Sequence, residues 1–158
     1  MIIDLKQVIE KTSAVDEYIR NLPQPYKGKF IERKQTYQLE EDVIHKIKGL
    51  ENTENLLIVV FSAEWCKDCT ANVPILALLD EKANIKVRVF GGMKTDTLNP
   101  KETWRIPPSP PEAKLFNVQK IPHIMVFDDQ GKQLGTIIEN PRTGNTLEEE
   151  ILYIIQSV

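Results

Sequence analysis

Leu56-Leu57-Ile58-Val59-Val60-Phe61-Ser62-Ala63-Glu64-Trp65-Cys66-Lys67-Asp68-Cys69 is the stretch from which the rest of the chain is read. Its first six residues are continuously apolar and rich in β-branched side chains, the pattern of a strand buried on both faces. That strand delivers Cys66 to its end, and the residues from about Cys66 to Lys82 read as a helix. Cys66 therefore falls at or just before a helix N-terminus, where unpaired N–H groups and the helix dipole favour a thiolate over a thiol. Cys66 and Cys69 are the only cysteines of the chain, and they sit three residues apart. A dithiol so placed suits electron exchange.

Upstream of this stretch, Asp4-Leu5-Lys6-Gln7 offers an N-cap, and Leu5, Val8, Ile9 and Thr12 continue on one helical face. Residues 21–36 carry Pro23, Pro25 and Gly28 among many basic groups and read as a connecting loop. A helix is expected over 39–50, with Val43, Ile47 and Leu50 at its core-facing steps. Downstream, Pro74 lies inside the helix that follows Cys66 and predicts a kink there. Ile85, Val87 and Val89 alternate with Lys86 and Arg88, the pattern of a strand with one better-buried face.

From Gly91 to Pro111 the composition shifts to glycine and then proline, predicting a long loop with polyproline character. A short helix over 112–117 and a strand from Ile124 to Phe127 follow. The turn Asp128-Asp129-Gln130-Gly131 then leads to a partner strand from Gln133 to Ile138. Thr146-x-x-Glu149 is a capping box for a last helix with Leu147, Ile151, Ile154 and Ile155 on its core face. From residue 39 the order is α-β-α-β-loop-α-β-β-α, a three-layer α/β plan. The expected division is an N-terminal helical extension over 1–37 and a domain over 38–158 that carries the insertion 91–111, together one globular unit.

A net charge of −3 leaves no electrostatic footprint for nucleic acid or an anionic membrane. No run approaches the roughly 18 apolar residues a membrane span needs. Met1-Ile2-Ile3-Asp4-Leu5-Lys6 has no basic region leading into an apolar one, so a cytoplasmic setting is expected. There a Cys-x-x-Cys pair reads as redox-active or metal-binding rather than as a structural staple. Zinc calls for four ligands, and His45 and His123 stand at no metal-like spacing from the cysteines, so no metal is expected.

Taken in order and spacing, several features make the chain resemble the thioredoxin superfamily over residues 38–157. They are Ala63-Glu64-Trp65-Cys66-x-x-Cys69, Pro74, Ile121-Pro122 before a strand, the hairpin and the C-terminal helix. The resemblance implies a mixed sheet with helices on both faces and the dithiol at the sheet's edge. It implies that Pro122 follows a cis peptide bond beside the dithiol, leaving the backbone of Ile121 to pair with an extended substrate. Cys66 would attack and Cys69 resolve. Trp65 would shield the dithiol and present an aromatic surface to partners, or simply pack at the strand end.

The implied activity is thiol–disulfide oxidoreduction, reducing protein disulfides with no cofactor beyond the redox-active Cys66–Cys69 pair. Its partners would be protein disulfides and a thioredoxin-reductase-like electron donor, with a monomer as the working unit. A non-catalytic protein-binding module is the alternative, as is a more oxidising oxidase or isomerase.

The chain also departs from that pattern. Lys67-Asp68 replaces the Gly-Pro of ordinary thioredoxins; Lys67 favours the Cys66 thiolate and Asp68 opposes it, so the net direction stays open. Where the family buries a proton-accepting aspartate, this chain has Val60, so the proton of Cys69 passes to water, to Asp68 or to a neighbour the sequence does not reveal. His123 replaces a threonine after Pro122 and either supports the thiolate when protonated, hydrogen-bonds substrate, or points into the sheet or solvent. Glu139-Asn140-Pro141 stands in place of a small glycine-containing docking segment. The insertion 91–111 lies either over the dithiol or on the opposite side.

Overall fold

A computed structural model describes residues 1–101 and 103–157. The elements run α1 (Leu5–Lys11), β1 (Ser13–Ala14), α2 (Val15–Arg20), α3 (Tyr26–Thr36), α4 (Glu41–Gly49), β2 (Leu57–Phe61), α5 (Lys67–Ala83), β3 (Lys86–Phe90), α6 (Glu112–Leu115), β4 (His123–Phe127), β5 (Gln133–Ile138) and α7 (Leu147–Gln156). The sheet order is β1-β3-β2-β4-β5, with β2 parallel to β3 and every other pairing antiparallel. Among the described residues no helix is long and apolar enough to cross a membrane.

The strand β2 lies at the centre of the sheet, flanked from Leu57 to Phe61 by β3 on one side and β4 on the other. All five of its residues are buried, which is why its sequence is an unbroken apolar run rather than an alternation. Strand alternation sends Phe61 to one face, where it stacks on Phe90 and meets Phe116 at the end of α6. Its neighbours Val60 and Ser62 face the other way. On that second side α5 and α7 cover the sheet, with α3 and α4 packed onto them. The Cα of Gly135 on β5 comes so close to Ile154 of α7 that a Cβ there would meet it at 2.8 Å. The fold is therefore a mixed five-stranded sheet with helices on both faces.

The expectation of a loop over 21–36 does not hold. Pro23 and Pro25 precede α3 instead of excluding it: Pro25 is its N-cap, a position at which no backbone N–H is required. Gly28 is carried within the helix, with its N–H donating to Gln24 Oε1 at 3.0 Å. Lys29 is exposed on its outer side, while Phe30 is fully buried and Arg33 Nε donates to the Ala71 carbonyl of α5 at 3.0 Å. Prolines that mark a loop in isolation here mark a helix start.

The strand β1 was not expected from sequence either, since two residues show no periodicity. It is held beside β3 by Arg88, whose guanidinium donates to Thr12 Oγ1 at 3.0 Å and to the Ile9 carbonyl at 2.8 Å.

The C-terminal helix begins with the expected capping box at Thr146 and Glu149. The carboxylate of Glu148, also buried, accepts from the Tyr37 hydroxyl at 2.7 Å and the Glu40 N–H at 2.9 Å, tying α7 to the segment between α3 and α4. The N-terminal residues are thus woven into the core at both α5 and α7. Phe30→Ala is accordingly expected to cost about 3–5 kcal/mol, measured by urea unfolding; a loss below about 1 kcal/mol would show that α3 is only appended.

Candidate active site

Cys66 is the N-cap of α5, and its sulfur accepts from the Cys69 backbone N–H at 3.2 Å. A sulfur there takes the place of the side-chain oxygen that ordinarily caps a helix, and it faces the positive end of the helix dipole. As a thiol, Cys66 also reaches the Ile121 carbonyl, with Sγ 3.6 Å from the oxygen. The Ile121–Pro122 peptide is cis, and the loop it forms closes over the dithiol from the start of β4. Cys66 is 8% exposed and Cys69 is fully buried, so the two sulfurs differ in access as well as in position.

Their protonation differs in the same sense. The Cys66 thiol is held below the ordinary cysteine range. Hydrogen bonding from the Cys69 thiol contributes most, and the backbone N–H groups of Cys69 and Asp68 add to it against the cost of burial and the Asp68 carboxylate. The Cys69 thiol is pushed far up, by burial first and then by its role as donor to Cys66 and by the charge developing there. The pair therefore shares its proton asymmetrically, with thiolate character on the outer sulfur.

Trp65 is 47% exposed, with its Nε1–H donating to the Met93 carbonyl at 3.3 Å. Trp104 stacks against it, ring centroids 6.3 Å apart and planes inclined by 26°. Both partners come from the insertion 91–111, which therefore lies on the dithiol side of the molecule. Its two ends are drawn together where Ser109 Oγ accepts from the Lys94 N–H at 2.7 Å and donates to the Lys94 carbonyl at 2.9 Å. Trp104 also lines a cavity of about 470 Å³ with Lys101, Lys114 and Asn117, and neither cysteine borders it.

A family model described as thioredoxin matches residues 12–151. The chain belongs to the thioredoxin family. A Pseudomonas aeruginosa protein of unknown function is similar in structure, with 14% identity, TM-score 0.74 and 99% of each chain covered. An HIV epitope scaffold aligns almost as well, with 14% identity, TM-score 0.73 and the same coverage. At such identities the likeness concerns the fold alone. No curated protein sequence matches the chain.

Set beside the thioredoxin pattern, the structure brings Cys66, Cys69, Trp65, Ile121 and Pro122 into one place, with Lys67 and Asp68 in the first turn of α5. His123 is placed differently. It pairs with Phe61 across the sheet and meets that ring edge-on at 6.1 Å, on the face away from Ser62. Burial lowers its pKa, and its Nδ1 is buried without a hydrogen-bond partner among the described residues, so it sits as a neutral ring in an apolar wall. His45 lies exposed on α4.

Three residues at the site escaped the sequence reading. Asn72 is nearly fully buried, and its amide donates to the Asp68 carbonyl at 2.9 Å, the Glu139 carbonyl at 3.0 Å and Asn140 Oδ1 at 2.9 Å. It thereby fastens the first turns of α5 to the segment after β5. A lone amide among Val73, Leu76 and Leu79 was the available signal. Ser62 and Tyr18, whose hydroxyl oxygens lie 3.0 Å apart, are the others. Their pairing spans 44 residues and leaves no local trace.

Because the Cys66 pKa is lowered, the thiolate fraction at neutral pH exceeds that of an ordinary cysteine and falls away only at more acidic pH. Iodoacetamide is expected to modify Cys66 with an apparent pKa below that of a free cysteine thiol measured alongside it, while Cys69 stays unmodified in the folded chain. Mass-spectrometric mapping of the rate against pH measures this, and a Cys66 midpoint at or above that of the free thiol contradicts the geometry.

Proposed function

We propose that this thioredoxin-family chain is a thiol–disulfide oxidoreductase that reduces protein disulfides through Cys66 and Cys69. The observation that carries the reading is the Cys66 sulfur, capped by the Cys69 N–H at the start of α5 and facing the Ile121 carbonyl. In the first step the Cys66 thiolate attacks one sulfur of a substrate disulfide. A Cys66–substrate bond forms, the substrate S–S bond breaks, and the departing sulfur carries off the electron pair and takes up a proton. In the second, Cys69 attacks Cys66 Sγ, closing the internal disulfide and releasing the other substrate sulfur as a thiol. The substrate gains two electrons and the chain loses them.

An extended substrate segment would lie along the backbone of Ile121, with the exposed indole of Trp65, backed by Trp104, against its apolar side chains. Lys67 is exposed beside Cys66 and Asp68 is partly so, where both meet an incoming substrate rather than the core. Reducing equivalents would return from a thioredoxin-reductase-like flavoenzyme or another dithiol. No cofactor beyond the Cys66–Cys69 pair enters the scheme, the chain would act as a monomer, and a reducing compartment such as the cytoplasm suits it.

Cys69→Ser is expected to trap a protein substrate covalently at Cys66, an adduct visible on non-reducing gels and absent from Cys66→Ser. Wild-type chain is expected to accelerate insulin reduction by dithiothreitol. Capture of partners without any thiol-sensitive adduct would instead indicate a binding module. An equilibrium reduction potential near about −270 mV suits a reductant, and one near about −120 mV would reassign the chain as an oxidase or isomerase.

A further inference from the structure

Resolution of the mixed disulfide asks Cys69 to become a thiolate in a place that opposes it. The sulfur is fully buried, and burial together with the neighbouring Cys66 charge drives its pKa up. The position from which the family's buried aspartate takes the proton is Val60, itself completely enclosed between Val89 and Ile124. Two residues further along the same strand face is Ser62, also fully buried. Its hydroxyl and the Ala63 backbone N–H count among the influences that favour the Cys69 thiolate.

Behind Ser62 stands Tyr18, reaching in from α2. The Tyr18 hydroxyl is 3.0 Å from Ser62 Oγ. Its ring crosses Gly91, where a Cβ would come within 2.8 Å of a ring carbon, and stands edge-on to Phe30 at 6.2 Å. The ring is thus held by packing independent of the hydroxyl. Burial raises the Tyr18 pKa well above its ordinary value, so the group remains protonated and able to donate.

We infer that Ser62 and Tyr18 form a two-hydroxyl chain that stabilises the Cys69 thiolate during resolution, Ser62 donating to the sulfur and Tyr18 donating to Ser62 Oγ. The inference rests on the dithiol chemistry proposed above. As Cys69 attacks Cys66 Sγ, the Cys66–Cys69 bond forms and the bond from Cys66 to the substrate sulfur breaks. The substrate sulfur leaves with the electron pair, and the proton given up by Cys69 is balanced by the one the leaving thiol takes up. Neither hydroxyl changes its net protonation. In this scheme Ser62 acts on the reacting sulfur, and Tyr18 is a positioning residue that acts through Ser62. Among the described residues, the titratable groups around this cluster are Cys66 at the N-cap of α5, which acts on Cys69, Asp68 in the first turn, which acts on Cys66, and Glu64, which acts on Tyr18 of α2, while His123 of β4 lies on the opposite face of the sheet.

Reaction of the reduced full-length chain with dithiobis(nitrobenzoate) separates the steps. The first burst of nitrothiobenzoate reports attack by Cys66, and the second reports its displacement by Cys69. Ser62→Ala is expected to slow the second phase on the order of tenfold or more and to move its pH profile upward, with the first phase spared. Tyr18→Phe keeps the ring packing and is expected to slow the second phase in the same direction by a smaller factor.

A second phase that keeps its wild-type rate and pH dependence in either variant overturns the inference. So does an equal slowing of both phases, which would mark a site loosened as a whole. A wild-type chain that gives both phases yet reduces no protein disulfide would remove the reductase reading while leaving the variants to decide this one.

Discussion

The contact between the Cys69 N–H and the Cys66 sulfur holds only while the end of β2 and the beginning of α5 keep their places. Three constraints secure that junction. Pairing with β3 and β4 on either side fixes β2 up to Phe61. Asn72 binds the first turns of α5 to Glu139 and Asn140, which follow β5 at the same end of the sheet as Pro122. The Ala71 carbonyl, within the same turns, receives Arg33 from α3. A capping sulfur gains from the helix dipole only within the first turn, so a small displacement of α5 would cost the thiolate most of its support. The rigidity around Cys66 is therefore part of its chemistry.

The same dependence explains why the N-terminal segment is more than an extension of the family fold. The short strand β1 extends the sheet beyond β3, α2 brings Tyr18 to Ser62, and α3 covers the outer side of α5. Phe30 links these roles, filling the core of α3 and bracing the Tyr18 ring. Glu148 does comparable work at α7, since its buried carboxylate is satisfied by groups that lie before α4 in the chain. A buried carboxylate without such partners would be strongly unfavourable, so α7 and the N-terminal segment stabilise each other's placement.

Much of this was legible in the residues. The apolar run Leu57–Phe61, the cysteine pair at its end, the Ile121-Pro122 step and the Thr146–Glu149 box are local signals, and local signals survive in a linear reading. The segment 21–36 misled because proline is ambiguous: it ends one helix and begins another, and only the buried Phe30 decides which. His123 illustrates the complementary case. Its neighbour Pro122 placed it near the dithiol along the chain, yet strand alternation carries its ring to the other face, against Phe61. Tyr18 and Ser62 were out of reach, since their relation exists only after the sheet and α2 have assembled.

In the resolution step inferred for Cys69, two hydroxyls take the place of a buried carboxylate, and that changes what the site could do. A carboxylate near Cys69 accepts its proton but also places a second negative charge beside the thiolate, so two groups titrate together and each disfavours ionisation of the other. A hydroxyl accepts no proton at working pH; it offers only a donor, whose value increases as the sulfur gains charge. The gain is greatest when Cys69 carries the full thiolate charge, just before it attacks Cys66, and small in the resting dithiol. Val60 is consistent with that arrangement. An apolar residue there keeps the dielectric low around Ser62, which strengthens the donor it retains while removing the charge that would compete with it.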